Sequence, residues 1–198
     1  MTRRRIDLTR LVPARLTPEQ IGESLALLDE SAAWLRARGI QGQWPQSFTS
    51  PATTDVKRDR PAELRRYAEA GQLWVLRDDG YRAVATAAVT HWADQDFAHH
   101  WPGGHADLFD ARYLCRMASA RDVAGQGVGA AMIDFAEWLA RCAGVSKLRL
   151  DCSKTNTALH DYYRRQGFEQ VGLVDLEWRL SGALFERPIC VRAGAACA

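Results

Sequence analysis

An α+β, or mixed α/β, architecture is expected on three observations. Several short segments alternate apolar and polar residues between turn residues, as strands require. Others repeat apolar residues every three or four positions, as helices require. The two kinds are interleaved along the chain in the order strand, two helices, three strands, helix, strand, helix and one or two strands. No internal repeat and no composition break marks a boundary, so residues 1–198 are read as one domain.

Residues 6–12 alternate as a strand would. Thr17-Pro18-Glu19-Gln20 then supplies an N-cap, a proline at the first helical position and a capping-box glutamine. The helix that follows carries Ile21, Leu25, Leu28, Ala32 and Leu35 at helical spacing, and Gly39 is placed to end it. Residues 40–60 set Gly, Pro, Ser, Thr and Gln around Trp44 and Phe48, the composition of an ordered loop with aromatic anchors. Pro61 starts a short helix to Gly71, and residues 72–76 and 82–91 make two strands joined at Asp78-Asp79-Gly80. Residues 92–110 are polar and irregular. A strand over 112–118 leads through a glycine-rich run to a helix over 131–143. A strand over 147–152, a helix over 156–166 and strands over 168–176 and 183–192 complete the chain.

A hydrophobic fraction of 47% with 25% charged residues describes a globular chain able to bury a core. Its net charge of +2 leaves no basic stripe of the kind a dedicated nucleic-acid binder displays, so nucleic acid is not the expected partner. Cys115, Cys142, Cys152, Cys190 and Cys197 are scattered and lack a Cys-x-x-Cys pair, which argues for reduced thiols in the cytoplasm over a disulfide framework or structural zinc. No stretch is apolar enough to span a bilayer, and the basic start is followed by Ile-Asp-Leu-Thr-Arg and not by a signal core. His99, His100 and His105 lie among Asp94, Asp96, Asp107 and Asp110, but their spacing fits no standard zinc pattern, so no metal is expected.

The most informative run is Ala124-Gly125-Gln126-Gly127-Val128-Gly129-Ala130, at the mouth of a helix. Glycines admit a ligand to the main chain, the first amides of a helix lack internal partners, and the helix dipole favours anions, so the diphosphate of a nucleotide-like cofactor is the natural guest. Gly125-x-Gly127-x-x-Ala130 also fits a dinucleotide fingerprint, with Asp151 downstream. Context argues against it: Ser119 to Ala124 separate the glycines from the preceding strand, and too little chain follows Asp151 to complete a doubly wound sheet.

A second signature, Asn156-Thr157-Ala158-Leu159-His160-Asp161-Tyr162-Tyr163-Arg164-Arg165-Gln166-Gly167-Phe168, follows the next strand. With it the chain resembles the GNAT superfamily of acyl-CoA-dependent N-acyltransferases. The resemblance implies a central, mostly antiparallel twisted sheet flanked by helices on both faces, with acetyl-CoA as acyl donor. The family's Gln/Arg-x-x-Gly-x-Gly/Ala pattern falls on Ala124 to Gly129, with Ala124 where Gln or Arg is usual, and Arg121 is near enough to compensate. By resemblance, residues 111–172 carry the acyl-CoA site: Ala124, Gly125, Gln126, Gly127, Val128, Gly129 and Ala130 around the diphosphate, and Met117, Ala118 and Ser119 along the pantetheine. Asn156 either caps its helix or meets the pantetheine arm.

Acyl transfer needs a neutral amine, a stabilised oxyanion and a proton for the departing thiolate. Resemblance points to Tyr163 for the proton and to the backbone around Met117 to Ser119 for the oxyanion. Tyr162 projects about a hundred degrees away on a helix and is read as core or pocket wall. Asp151, His91 and Asp110, or a water held by them, are the candidates for general base. Segments 40–60 and 92–110 are read as substrate loops, with Trp44, His91, Trp92 and Asp110 toward the acceptor, Trp101 as a further aromatic cover and the loop carboxylates drawing in a cationic amine. The expected activity is acetylation of the primary amine of an amino acid, polyamine or antibiotic-like molecule. An aminoacyl-tRNA-dependent transferase and a non-catalytic coenzyme A-binding module are the alternatives, and a homodimer paired through the last strand is a further expectation.

Overall fold

The computed structural model describes residues 4–40, 44, 47–49 and 59–190. Twelve main elements follow one another in these residues: β1 (Val12–Arg15), α1 (Ile21–Ala37), α2 (Arg60–Glu69), β2 (Leu73–Arg77), β3 (Ala83–Thr90), α3 (Gly104–Asp107), β4 (Ala111–Ser119), α4 (Val128–Cys142), β5 (Lys147–Ser153), α5 (Thr157–Arg165), β6 (Glu169–Leu173) and β7 (Ser181–Pro188). The strands form a seven-stranded sheet in the order β1-β2-β3-β4-β5-β7-β6. Pairs β1/β2, β2/β3, β5/β7 and β6/β7 are antiparallel, while β4/β5 is parallel, as its helical crossover through α4 requires. Helices flank the sheet, and the chain groups into two compact units, Met1–Ala88 with Arg116–Ile133 and Val89–Cys115 with Asp134–Ala198.

In the first unit, Ile21, Leu25, Leu28, Ala32 and Leu35 of α1 are all buried, the stripe that the periodicity predicts. The capping box forms: Thr17 N donates to Gln20 Oε1 at 3.1 Å. Strand β3 is an alanine- and valine-rich run buried from Val84 onward, the pattern of a strand covered on both faces. Thr86 satisfies its hydroxyl there on Ser24 Oγ at 2.8 Å and Trp74 O at 3.1 Å. The turn to β3 is organised by Asp78, whose Oδ1 accepts from the amides of Gly80 and Arg82, each at 3.0 Å.

One predicted strand is replaced. Residues 6–11 do not pair; Asp7 caps a 3-10 turn over Leu8–Arg10, accepting from Thr9 N at 3.0 Å, and pairing starts only at Val12. The side chain of Asp7 offers the backbone a local partner, and Leu8, 41% exposed, has no buried face to alternate onto.

In the second unit, β7 is bonded to β5 on one side and β6 on the other. The last strand is therefore internal to the sheet and not a free edge. The segment over 92–110 is more ordered than its composition suggests, with a 3-10 turn at Ala98–His100 and the short helix α3. Arg149, fully buried on β5, anchors it: the guanidinium meets Asp107 and Glu186, donates to Pro102 O at 3.2 Å and stacks 5.0 Å from the Trp101 ring. Among the described residues, Cys115, Cys152 and Cys190 are free thiols.

Candidate functional site

In the first unit the chain leaves β4 at Ser119, makes a 3-10 turn over Arg121–Val123 and reaches α4 through Gly125 and Gly127, at φ 78° and 88°. Both glycines occupy the left-handed region that side chains resist. The first helical bond runs from Ala131 N to Gly127 O at 2.9 Å, so the amides of Val128, Gly129 and Ala130 have no partner within the helix. A diphosphate would find there bare N–H groups at the positive end of a fifteen-residue helix.

The side chains of this run are engaged elsewhere. Gln126 Oε1 accepts from Ile6 N at 3.1 Å and its Nε2 donates to Arg4 O, tying the N-terminal segment to the loop. Val128 is buried. Cofactor contacts by these two residues therefore reduce to their backbone. A Cβ on Gly127 would come within 2.9 Å of Leu8 Cδ1, whereas one on Gly125 would meet open space. Arg121 directs Nε and Nη2 to Ser119 O at 3.2 and 3.1 Å and lies 4.8 Å over the Trp34 ring. Those contacts brace the end of β4 and lend no support to compensation for Ala124.

Strand β4 is irregular where the resemblance places the reacting acyl group. Its ladder to β5 covers Ala111–Tyr113 only, and Arg116 has φ 53°, inside a strand. A bulky residue held there costs about 1–3 kcal/mol and must be over-determined by its surroundings. Glu63 of α2 supplies the hold, accepting from Arg116 Nη2 at 2.8 and 3.0 Å. Arg60 Nη1 and the Tyr67 hydroxyl also donate to that carboxylate, each at 3.1 Å. Burial alone would raise the Glu63 pKa, but the charges and hydrogen bonds of Arg116 and Arg60 outweigh it and hold the group at about 2. Met117 and Ser119 beyond Arg116 are half-buried and Ala118 is buried.

In the second unit, Asn156 caps α5, its Oδ1 accepting from Leu159 N at 3.1 Å. Tyr163 is 7% exposed and packs against Phe168 and Phe185, with ring centroids 5.8 and 5.9 Å away. Burial pushes its phenol well above the usual range, with smaller contributions from Cys152, Tyr162 and Asp151, so the hydroxyl keeps its proton. Tyr162 is half-buried, the more exposed of the pair. Cys152 is pushed up to about 12 by burial and by Asp151, which removes it as a nucleophile. Asp151 Oδ2 lies 3.9 Å from Arg179 Nη2, and that guanidinium also grips Asp94 and Asp96.

The proposed acceptor residues divide. Asp110 accepts from Ser146 N at 2.8 Å and from its hydroxyl, which holds the carboxyl below its ordinary range. Trp101 is core. With Asp94 and Asp96 on Arg179 and Asp107 on Arg149 and Lys147, the carboxylates of segment 92–110 expected to draw in a cationic amine are paired within their own unit. His91 and Trp92 remain exposed, their rings edge-on at 4.4 Å. Trp44 packs edge-on against Phe48 at 5.2 Å in the first unit, while most of segment 40–60 lies outside the described residues. Among the described residues no group of three His, Cys, Asp or Glu side chains is arranged to hold a metal.

The sequence reading missed Glu63, Arg149 and Arg179. The available signals were a glutamate in the first turn of a helix and an arginine flanked by leucines in a strand, but burial and partner are visible only after folding.

Comparison with known proteins identifies relatives of the chain. A family model described as acetyltransferase (GNAT) family matches residues 38–168. An uncharacterized N-acetyltransferase of Bacillus subtilis, YesJ, is 31% identical over 146 residues, 74% of each chain. Among solved structures, a GNAT family acetyltransferase from Listeria monocytogenes superposes with a TM-score of 0.70 at 20% identity, over 90% of this chain and 95% of that one. The PaiA N-acetyltransferase of Thermoplasma acidophilum, solved in complex with coenzyme A, gives 0.63 at 12% identity, over 90% and 98%. The chain belongs to the GNAT family of acetyltransferases, enzymes that take their acyl group from acetyl-CoA.

Proposed function

We propose that the protein, acting as one domain over residues 1–198, transfers the acetyl group of acetyl-CoA to the primary amine of a small molecule in the cytoplasm. The observation that carries this is the start of α4, where the helix amides after Gly127 lack internal partners and positive-φ glycines bare the main chain. The amine attacks the thioester carbonyl, the carbon–sulfur bond breaks, and an amide and free coenzyme A leave. The backbone beyond Arg116, Met117 to Ser119, is assigned to the oxyanion. Tyr163 is assigned to deliver the proton to the departing thiolate, a role suited to a phenol that does not ionise near neutrality. Asp151, directly or through a water, is assigned to accept the proton from the amine. Asn156 and the backbone of Ala124 to Ala130 hold the donor. Trp44, His91, Trp92 and Asp110 are assigned to the acceptor.

The test is a calorimetric titration with acetyl-CoA followed by an amine panel read by thiol release. One-to-one binding with release for a small amine supports the reading. Binding with release only for peptide or protein amines would move the acceptor out of the small-molecule class.

A further inference from the structure

Among the described residues two non-glycine residues have positive φ, and their settings differ. Tyr81, at 61°, sits exposed in the turn that Asp78 organises, where such a conformation is ordinary. Arg116, at 53°, lies within a nine-residue strand, and its side chain is clasped by a carboxylate 53 positions away in sequence. Glu63 is 7% exposed, on the buried side of α2 with Leu64 and Ala68. Its carboxylate is fixed by Arg60 and Tyr67 as well as by Arg116, which leaves little freedom in the grip. A buried ion pair is weak support for stability in general, and its better-attested use is to specify one conformation. Here the conformation so specified is that of the residue just before Met117, and it turns the peptide between them out of the direction a regular strand would give it.

We propose that Glu63 is a positioning residue for acyl transfer: by gripping Arg116 it holds the positive-φ backbone of β4 at that residue and so aims the Met117 amide. This rests on the acetyl-transfer reading for its functional consequence, but not for its structural one. Glycine adopts positive φ without strain and alanine does not, so the two substitutions at Arg116 separate backbone direction from side-chain chemistry.

The experiment follows the Met117 amide by NMR in 15N-labelled protein, with kcat and the acetyl-CoA Kd measured alongside. Glu63→Gln and Arg116→Ala should move the Met117 resonance and lower kcat about ten- to hundred-fold, as a misaimed group does, with Kd within about two-fold. Arg116→Gly should leave the resonance nearer that of the parent and lose less activity, and in the double variant should recover part of what Glu63→Gln loses. An unmoved Met117 resonance in Glu63→Gln, or Arg116→Gly as damaging as Arg116→Ala, overturns the proposal. If Glu63→Gln does not fold, the Arg116 pair still decides it. A parent protein that releases thiol with no amine strikes the acetyl-transfer reading, while the resonance still reports on the grip.

Discussion

Tyr163 and Glu63 show how burial gives opposite results for two acids. Tyr163 has aromatic neighbours and no cation, so burial raises its pKa and the proton stays. If that proton goes to the leaving thiolate, Tyr163→Phe lowers kcat by about a hundred-fold or more and leaves acetyl-CoA affinity nearly unchanged, as rapid kinetics beside calorimetry will show. Glu63 is buried against two guanidiniums, so its pKa falls from an ordinary 4.5 to about 2. A depressed carboxyl contributes stability above its unfolded value and loses it as pH falls through the folded one. The contribution, on the order of 3 kcal/mol, should therefore fade between pH 4.5 and 2. Denaturant melts across that window should show a shallower acid limb for Glu63→Gln than for the parent.

The loop into α4 and the β5–β7 ribbon carry different demands. At Gly127 a methyl group meets both positive φ and Leu8, whereas at Gly125 it meets positive φ alone. Gly127→Ala should thus destabilise by more than Gly125→Ala, both by at least about 1 kcal/mol, and should weaken acetyl-CoA binding because the α4 amides shift. Thermal melts and calorimetry on the two variants test the order. On β5, Arg149 neutralises Asp107 and Glu186 from a fully buried position. Arg149→Leu leaves Glu186 without its guanidinium and Asp107 with Lys147 alone, and should cost about 3–5 kcal/mol in a urea melt, well beyond the loss of one surface pair.

Family membership makes acetyl-CoA a ligand of the folded chain, and a ligand that ignores the unfolded state stabilises by mass action. At about a hundred times its Kd, acetyl-CoA should add roughly 2.7 kcal/mol, visible as a rise in Tm that NAD does not reproduce. The fold was legible because its signals are local: the Thr17 capping box, the α1 stripe and the Asp78 turn each need only neighbouring residues. The misreading at residues 6–12 came from alternation without a buried face, since Asp7 and Gln126 satisfy that backbone instead. The placement of β7 was missed for a related reason. A strand's neighbours depend on long-range pairing, and nothing within the strand says that two others will flank it.

Residue order alone was enough to specify the order of the longer helices and most strands, the glycine loop at a helix mouth and the paired motifs of an acyl-CoA enzyme, because spacing along a helix or strand fixes which groups share a face. Folding settled which charges are used up in structure. Arg149 and Arg179 bind the carboxylates of segment 92–110, Gln126 turns to the N-terminal segment, and Glu63 reaches Arg116. Each of these joins residues far apart in sequence, whose meeting depends on packing and desolvation of the whole chain, and no local pattern encodes a partner at that distance.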